Sequence, residues 1–153
     1  MVAALECIIL IGLPGAGKTT FYRQRFAETH VHVSKDLCPN ASGREARQQE
    51  LIEETLSAGK SVVVDNTNPT AAERARLITV GRSHGARLIG YFFDISTRAA
   101  VARNADRAGR SKVPNVAIFT AAKRLQRPTT IEGFDELYRV ELNEDRSSRV
   151  SKF

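Results

Sequence analysis

The segment Gly12-Leu-Pro-Gly15-Ala16-Gly17-Lys18-Thr19 reads glycine, four free positions, then Gly-Lys-Thr. That spacing lets successive backbone N–H groups converge on phosphate oxygens, and the helix it opens adds partial positive charge. On this spacing Lys18 reaches the β- and γ-phosphates and the Thr19 hydroxyl serves Mg²⁺. Gly12, Gly15, Ala16, Gly17, Lys18, Thr19 and Thr20 are therefore expected to hold a nucleoside triphosphate such as ATP. A glycine-rich turn arising by chance would lack the right neighbours. Here the apolar run Leu5–Ile11 precedes the loop as a buried strand, and Thr20–Phe26 continues from it as a helix.

Two acids fall where a phosphoryl acceptor and a metal ion would sit. Asp65 directly follows Val62-Val63-Val64, and Asp36 stands in a more open loop after Val31–Val33. Phosphoryl transfer needs a metal to neutralise charge, a carboxylate to take the acceptor's proton, and cations over the transferring group. Spacing alone leaves open which aspartate is base and which supports the metal. The cations are near Arg98, Arg103, Arg107, Arg110 and Lys112, five against the single acid Asp106. Arg103 and Arg107 are four apart and are expected to share one helix face. Helix, then Gly109, then Pro114 reads as an arginine-bearing lid that closes on the triphosphate.

Alternating strand and helix patterns must position these residues. Strands are expected at Leu5–Ile11, Val31–Val33, Val62–Val64, Arg87–Phe93 and Leu137–Glu141. Helices are expected at Lys18–Glu28, Gly43–Ser57, Ala71–His84, Thr97–Arg107 and Asn115–Gln126. The pattern specifies an α/β chain with the P-loop NTPase/kinase fold, a parallel five-stranded sheet flanked by helices. Ligands of such sheets bind beyond the carboxyl ends of the strands. Gly12–Thr19, Ser34-Lys35-Asp36, Asp65–Pro69 and Asp94 all lie there and should converge on one rim. Gly59 is expected to stop the second helix, Thr70 to cap the third and Ser96 or Thr97 the fourth.

A chain of 153 residues fits one domain, with 1–142 as its body and 143–153 as a polar, loosely ordered tail. A net charge of +6 favours an anionic partner. Two cysteines, Cys7 and Cys38, make neither a disulfide framework nor a zinc site, so a reducing cytoplasm is the expected compartment. The opening residues lack a basic signal-peptide region, and no apolar run is long enough to span a membrane.

Several of these segments together resemble the 5′-hydroxyl polynucleotide kinase family. They are Gly12–Thr20, Ser34-Lys35-Asp36, Asp65-Asn66-Thr67-Asn68-Pro69 with Arg74, Arg103-Asn104 with Arg107, and Arg127-Pro128-Thr129 leading to Glu132-Gly133-Phe134. The similarity runs roughly from Leu5 to Leu142, in the family's order, and the Asp65–Pro69 and Pro128…Glu132-Gly133-Phe134 segments resemble the kinase domain of the kinase–phosphatase enzymes that repair nucleic-acid ends. It implies ATP and Mg²⁺ as cofactors and 5′-hydroxyl ends of DNA or RNA as partners, with the chain either a stand-alone kinase or one that works beside separate end-processing enzymes. It implies that Asp36 is the general base, that Lys18, Arg103 and Arg107 act on the ATP phosphates, and that Thr19 and Asp65 serve the metal. Asp65, Asn66, Thr67 and Arg74 would lie towards the acceptor. Some relatives carry an arginine three residues beyond the base; here that position is Pro39, with Arg44 and Arg47 the nearby cations. Two other readings fit the phosphate loop: a kinase of a sugar, nucleoside or nucleotide-sugar, and a nucleotide-binding module without its own acceptor.

Overall fold

β1 (Glu6–Ile11) and β3 (Val62–Asp65) are nearly continuous apolar runs because both of their faces are covered. They pair in parallel, with Ile9 opposite Val64, at the middle of a six-stranded sheet ordered β2-β3-β1-β4-β5-β6. The structure is a computed structural model describing residues 4–38, 42–109, 112–143, 145 and 147–153. β2 (Val31–Val33), β4 (Arg87–Phe93) and β5 (Glu136–Leu142) complete the five parallel strands.

A sixth strand, β6 (Ser148–Lys152), pairs antiparallel with β5 and sets Val150 opposite Val140. The sheet therefore has one strand more than expected, and the tail expected to be loose supplies it. In Ser-Arg-Val-Ser-Lys only Val150 is apolar, so no alternation announces a strand. Val150 packs beside Val140 and Phe93, and the edge of β5 supplies the backbone partners.

Alternate residues of β1 feed opposite layers. Cys7, Ile9 and Ile11 pack with Ile52 and Leu56 of α2 (Arg44–Ser57) and Leu77 and Ile78 of α3 (Ala71–Ser83). Ile8 and Leu10 pack with Phe21 and Tyr22 of α1 (Lys18–Arg25). A smaller cluster joins Leu13, Ala100 of α4 (Thr97–Ala105) and Ile118 of α5 (Asn115–Arg124), tying the phosphate loop to the arginine-rich segment.

The helix starts follow their signals, while α1 ends at Arg25 and α5 at Arg124, three and two residues short of the expected Glu28 and Gln126. Thr70 Oγ1 accepts from the Glu73 N–H at 3.1 Å and Ser96 Oγ from the Ala99 N–H at 3.1 Å. Gly59, at φ 76°, ends α2 as Lys60 N–H returns to Thr55 O at 3.1 Å. α4 stops two residues early, at Ala105. Asp106 and Arg107 donate back three residues, to Arg103 O at 3.2 Å and Asn104 O at 3.1 Å, which tightens the last turn. Arg107 thus lies beyond the helix rather than on a helical face shared with Arg103.

Candidate active site

The loop between β1 and α1 needs glycine where the chain enters the left-handed region. Gly15 has φ 83°, and a Cβ there would stand 2.8 Å from Ala100 O; Gly17 has φ 89°. Gly12 N–H donates to Thr67 O at 3.1 Å, which ties the loop to the segment after β3. Lys18 folds back and donates from Nζ to Gly12 O at 2.9 Å and Leu13 O at 2.8 Å. Burial lowers its ammonium pKa to about 8; Asp65 and Asp36 oppose that change, and the positive Arg107 adds to it.

Thr19 Oγ1 donates to Asp65 Oδ2 at 2.7 Å, and His32 Nε2 donates to the same oxygen at 2.8 Å. Burial alone would raise the Asp65 carboxyl, but the hydrogen bonds from His32 and Thr19 and the charge of Lys18 hold it below its ordinary value. A hydroxyl and an ionised carboxylate side by side are the hard oxygen donors that Mg²⁺ takes when phosphates supply other ligands. Among the described residues no group of three or more His, Cys, Asp and Glu side chains is arranged around a metal position. Thr19 and Asp65 therefore fit an ion held mainly through nucleotide and water.

Asp36 is exposed in the 3₁₀ turn Lys35–Leu37, whose start is capped where Asp36 N–H meets Ser34 Oγ at 3.2 Å. Asn66 Oδ1 accepts from Lys35 N–H at 2.9 Å, and its amide donates to the buried Gln48. Asn66 thus holds the Asp36 turn against the end of β3 and α2. Asn68, at φ 46°, donates to Leu10 O at 2.7 Å and seals the segment from below.

Arg74, expected at the acceptor, does not reach the cleft. It is fully buried, donates to Glu132 Oε1 at 2.8 Å and Oε2 at 3.1 Å, and meets Asn68 O and Pro69 O at 2.9 and 3.0 Å. It braces the Asp65–Pro69 segment from behind. Glu132 also accepts from Thr129 N–H at 2.8 Å, so the Arg127–Phe134 segment is bound into the same brace.

Arg103 donates from Nε to Gly15 O at 2.9 Å, and the half-buried Arg107 faces the same cleft. Asn104 is fully buried and clasps the loop beyond α4, exchanging hydrogen bonds with Val113 O at 2.6 Å and Val113 N–H at 3.0 Å. Pro39 and Arg110 lie outside the described residues.

One open cleft of about 1560 Å³ gathers Lys18, Thr19, Asp36, Asp65, Asn66, Thr67, Arg103 and Arg107. Its volume exceeds what one small ligand fills, leaving room for a second. Gly12 and Ala16 lie beneath its floor, both buried. Lys35 of the Ser34–Asp36 segment and Arg44 line it too, as do Arg23, His32, Thr120 and Arg124, to which no short motif points. His32 left one signal, a polar residue within the apolar triplet of β2. Cys38 is buried in the cleft wall; Cys7 is a core residue, and burial pushes its thiol up to about 12. Among the described residues no helix is long and apolar enough to cross a membrane.

The chain is 27% identical over 139 residues to a bifunctional polynucleotide phosphatase/kinase of Schizosaccharomyces pombe, covering 88% of this chain and 33% of that protein. It is 40% identical over 70 residues to a protein of Acanthamoeba polyphaga mimivirus named for the same two activities, covering 45% of this chain and 16% of that one. The chain thus spans a third or less of these relatives' length. Among solved structures, Kti12 of Chaetomium thermophilum in complex with ADP-AlF3 superposes with a TM-score of 0.73 at 18% identity, over 92% of each chain. A fungal RNA kinase gives 0.67 at 18% identity, over 95% of this chain and 78% of that one. A gluconokinase of Sinorhizobium meliloti 1021 gives 0.66 at 19% identity, over 89% and 82%. The AAA domain family AAA_33 matches residues 7–128, most of the chain and all of the strand-end segments that build the cleft, and the chain belongs to this family of P-loop kinase domains.

Proposed function

We propose that this chain transfers the γ-phosphate of ATP to the 5′-hydroxyl of a DNA or RNA end. The observation that carries the reading is one cleft lined by the phosphate loop, the hydrogen-bonded Thr19–Asp65 pair and the exposed Asp36 carboxylate. The names of the polynucleotide phosphatase/kinase relatives support a polynucleotide acceptor, and Arg23, Lys35 and Arg44 at the cleft suit a polyanion.

In this reading the loop N–H groups and Lys18 hold the β- and γ-phosphates. Asp36 accepts the proton of the acceptor hydroxyl as its oxygen bonds to the γ-phosphorus, and the bond to the β-phosphate oxygen breaks to release ADP. Arg107, with Arg103 anchored on Gly15 O, brings positive charge over the transferring group. Mg²⁺, held with the help of Thr19 and Asp65, neutralises phosphate charge when bound. Asn66 and Thr67, which line the same cleft, orient the acceptor in this reading.

Asp36→Asn tests the assignment. Transfer to a 5′-hydroxyl oligonucleotide is expected to fall at least about a hundredfold, the lower range for loss of a general base, with ATP affinity retained. Loss of ATP binding along with activity would instead make Asp36 part of the nucleotide or metal site.

A second reading is a kinase of a small hydroxylated acceptor. Pro39 favours it, standing where some relatives of the resembled family have an arginine. Acceptor binding that weakens steeply with salt separates a polyanion from such a molecule.

A further inference from the structure

We propose that His32 is the positioning residue for the Asp65 carboxylate, holding Oδ2 so that Asp65 and Thr19 present one prearranged pair of oxygen groups to the nucleotide's metal ion. The inference rests on the reading of Thr19 and Asp65 as the metal side of the cleft.

The geometry is specific. Asp65 Oδ2 accepts from both Thr19 and His32, and Asp65 is only 5% exposed. Two donors converging on one oxygen fix the rotation of the carboxylate, which otherwise has a broad terminal torsion. The His32 ring is itself held. It stacks on Tyr22 with ring centroids 4.3 Å apart and planes 18° from parallel. Tyr22 is anchored in turn, because its hydroxyl donates to His30 O at 2.6 Å, and His30 Nε2 meets Glu6 Oε1 at 2.8 Å. A chain of contacts thus runs from the start of β1, through the α1–β2 turn, to the end of β3. Because an ionised carboxylate only accepts, His32 must carry a proton on Nε2. A histidine donor on an acid beside a metal position is the arrangement in which outer groups orient inner ones.

Two substitutions separate the donor from the ring. His32→Phe keeps a ring on Tyr22 and deletes the donor; His32→Gln keeps a donor at the same reach and deletes the ring. Calorimetric ADP binding, titrated with Mg²⁺, is the readout and needs no acceptor, so a mistaken acceptor cannot imitate a mistaken His32. His32→Phe is expected to raise the Mg²⁺ concentration for half-maximal enhancement of ADP binding by about tenfold or more, leaving metal-free ADP affinity unchanged. His32→Gln should restore most of the loss. Unchanged Mg²⁺ dependence in His32→Phe overturns the proposal, as does equal loss in both variants, which would assign the effect to the ring stack. A wild-type protein whose ADP binding ignores Mg²⁺ overturns it together with the metal reading. Should His32→Phe not fold, nitrogen-15 NMR of the wild-type imidazole decides: a proton on Nε2 is required, and a neutral ring protonated only on Nδ1 contradicts the role.

Discussion

Burial in the phosphate loop lowers the Lys18 pKa to about 8, and the pull of Asp65 and Asp36 only partly offsets it, so the side chain waits among its own loop carbonyls at Gly12 and Leu13. A bound phosphate anion favours the charged ammonium and must raise that pKa. The sign of the consequence is fixed. Above pH 8 much of Lys18 has lost its proton in the free protein, and nucleotide binding restores it. At about pH 8.5, ADP binding should take up about half a proton or more, read from calorimetry in buffers of different ionisation enthalpy, and the uptake should shrink towards neutral pH. No uptake under alkaline conditions would mean that Lys18 is already fully charged in the empty loop. Residue-scale legibility was uneven. Gly12–Thr19 was readable because its chemistry is local: glycines, one lysine and one hydroxyl within eight positions. Arg74 was not, because its carboxylate partner Glu132 lies 58 residues away and nothing near Arg74 in the chain marks it as buried.

Among the elements, the segment after β3 is held from two sides. Asn68 ties it to β1, and the Arg74–Glu132 pair ties it to α3 and the chain before β5. Arg74→Ala strands the largely covered Glu132 carboxylate and removes donors from Asn68 O and Pro69 O. It should destabilise the fold by about 3–5 kcal/mol in urea unfolding. A loss near that of an exposed ion pair would contradict the bracing role. The arginine-bearing segment after β4 acts at its tip. Arg107 follows the end of α4, and the Asn104–Val113 clasp shapes the loop behind it. Arg107→Ala is expected to lower kcat roughly a hundredfold while nucleotide affinity falls far less. Equal loss in both would make Arg107 a ground-state phosphate ligand, and unchanged turnover would remove it from the mechanism. The helices and parallel strands were legible from apolar periodicity and from caps such as Thr70 and Ser96. The early end of α4 was not, since the three-residue hydrogen bonds of Asp106 and Arg107 leave no mark in composition.

Across the whole molecule, the parallel sheet brings segments separated by up to about ninety residues to one rim, in keeping with the rule that such sheets bind ligands beyond their strand ends. That rule made the convergence of Ser34–Asp36, Asp65–Pro69 and the phosphate loop foreseeable, but Asp94, expected with them, does not line the cleft and instead accepts from Arg139 Nε at 2.8 Å. β6 was not foreseeable, because its strand character comes from the free edge of β5 and from one half-buried valine rather than from its own sequence. The fold is shared with a gluconokinase as well as a fungal RNA kinase, so architecture alone does not select the acceptor. The central claim turns on where the γ-phosphate goes. The most direct measurement incubates the chain with γ-labelled ATP, Mg²⁺ and matched oligonucleotides bearing either a 5′-hydroxyl or a 5′-phosphate. Label on the 5′-hydroxyl oligonucleotide alone is the expected result. No label on either strand while ATP still binds, with label passing instead to a small hydroxylated acceptor, would contradict it.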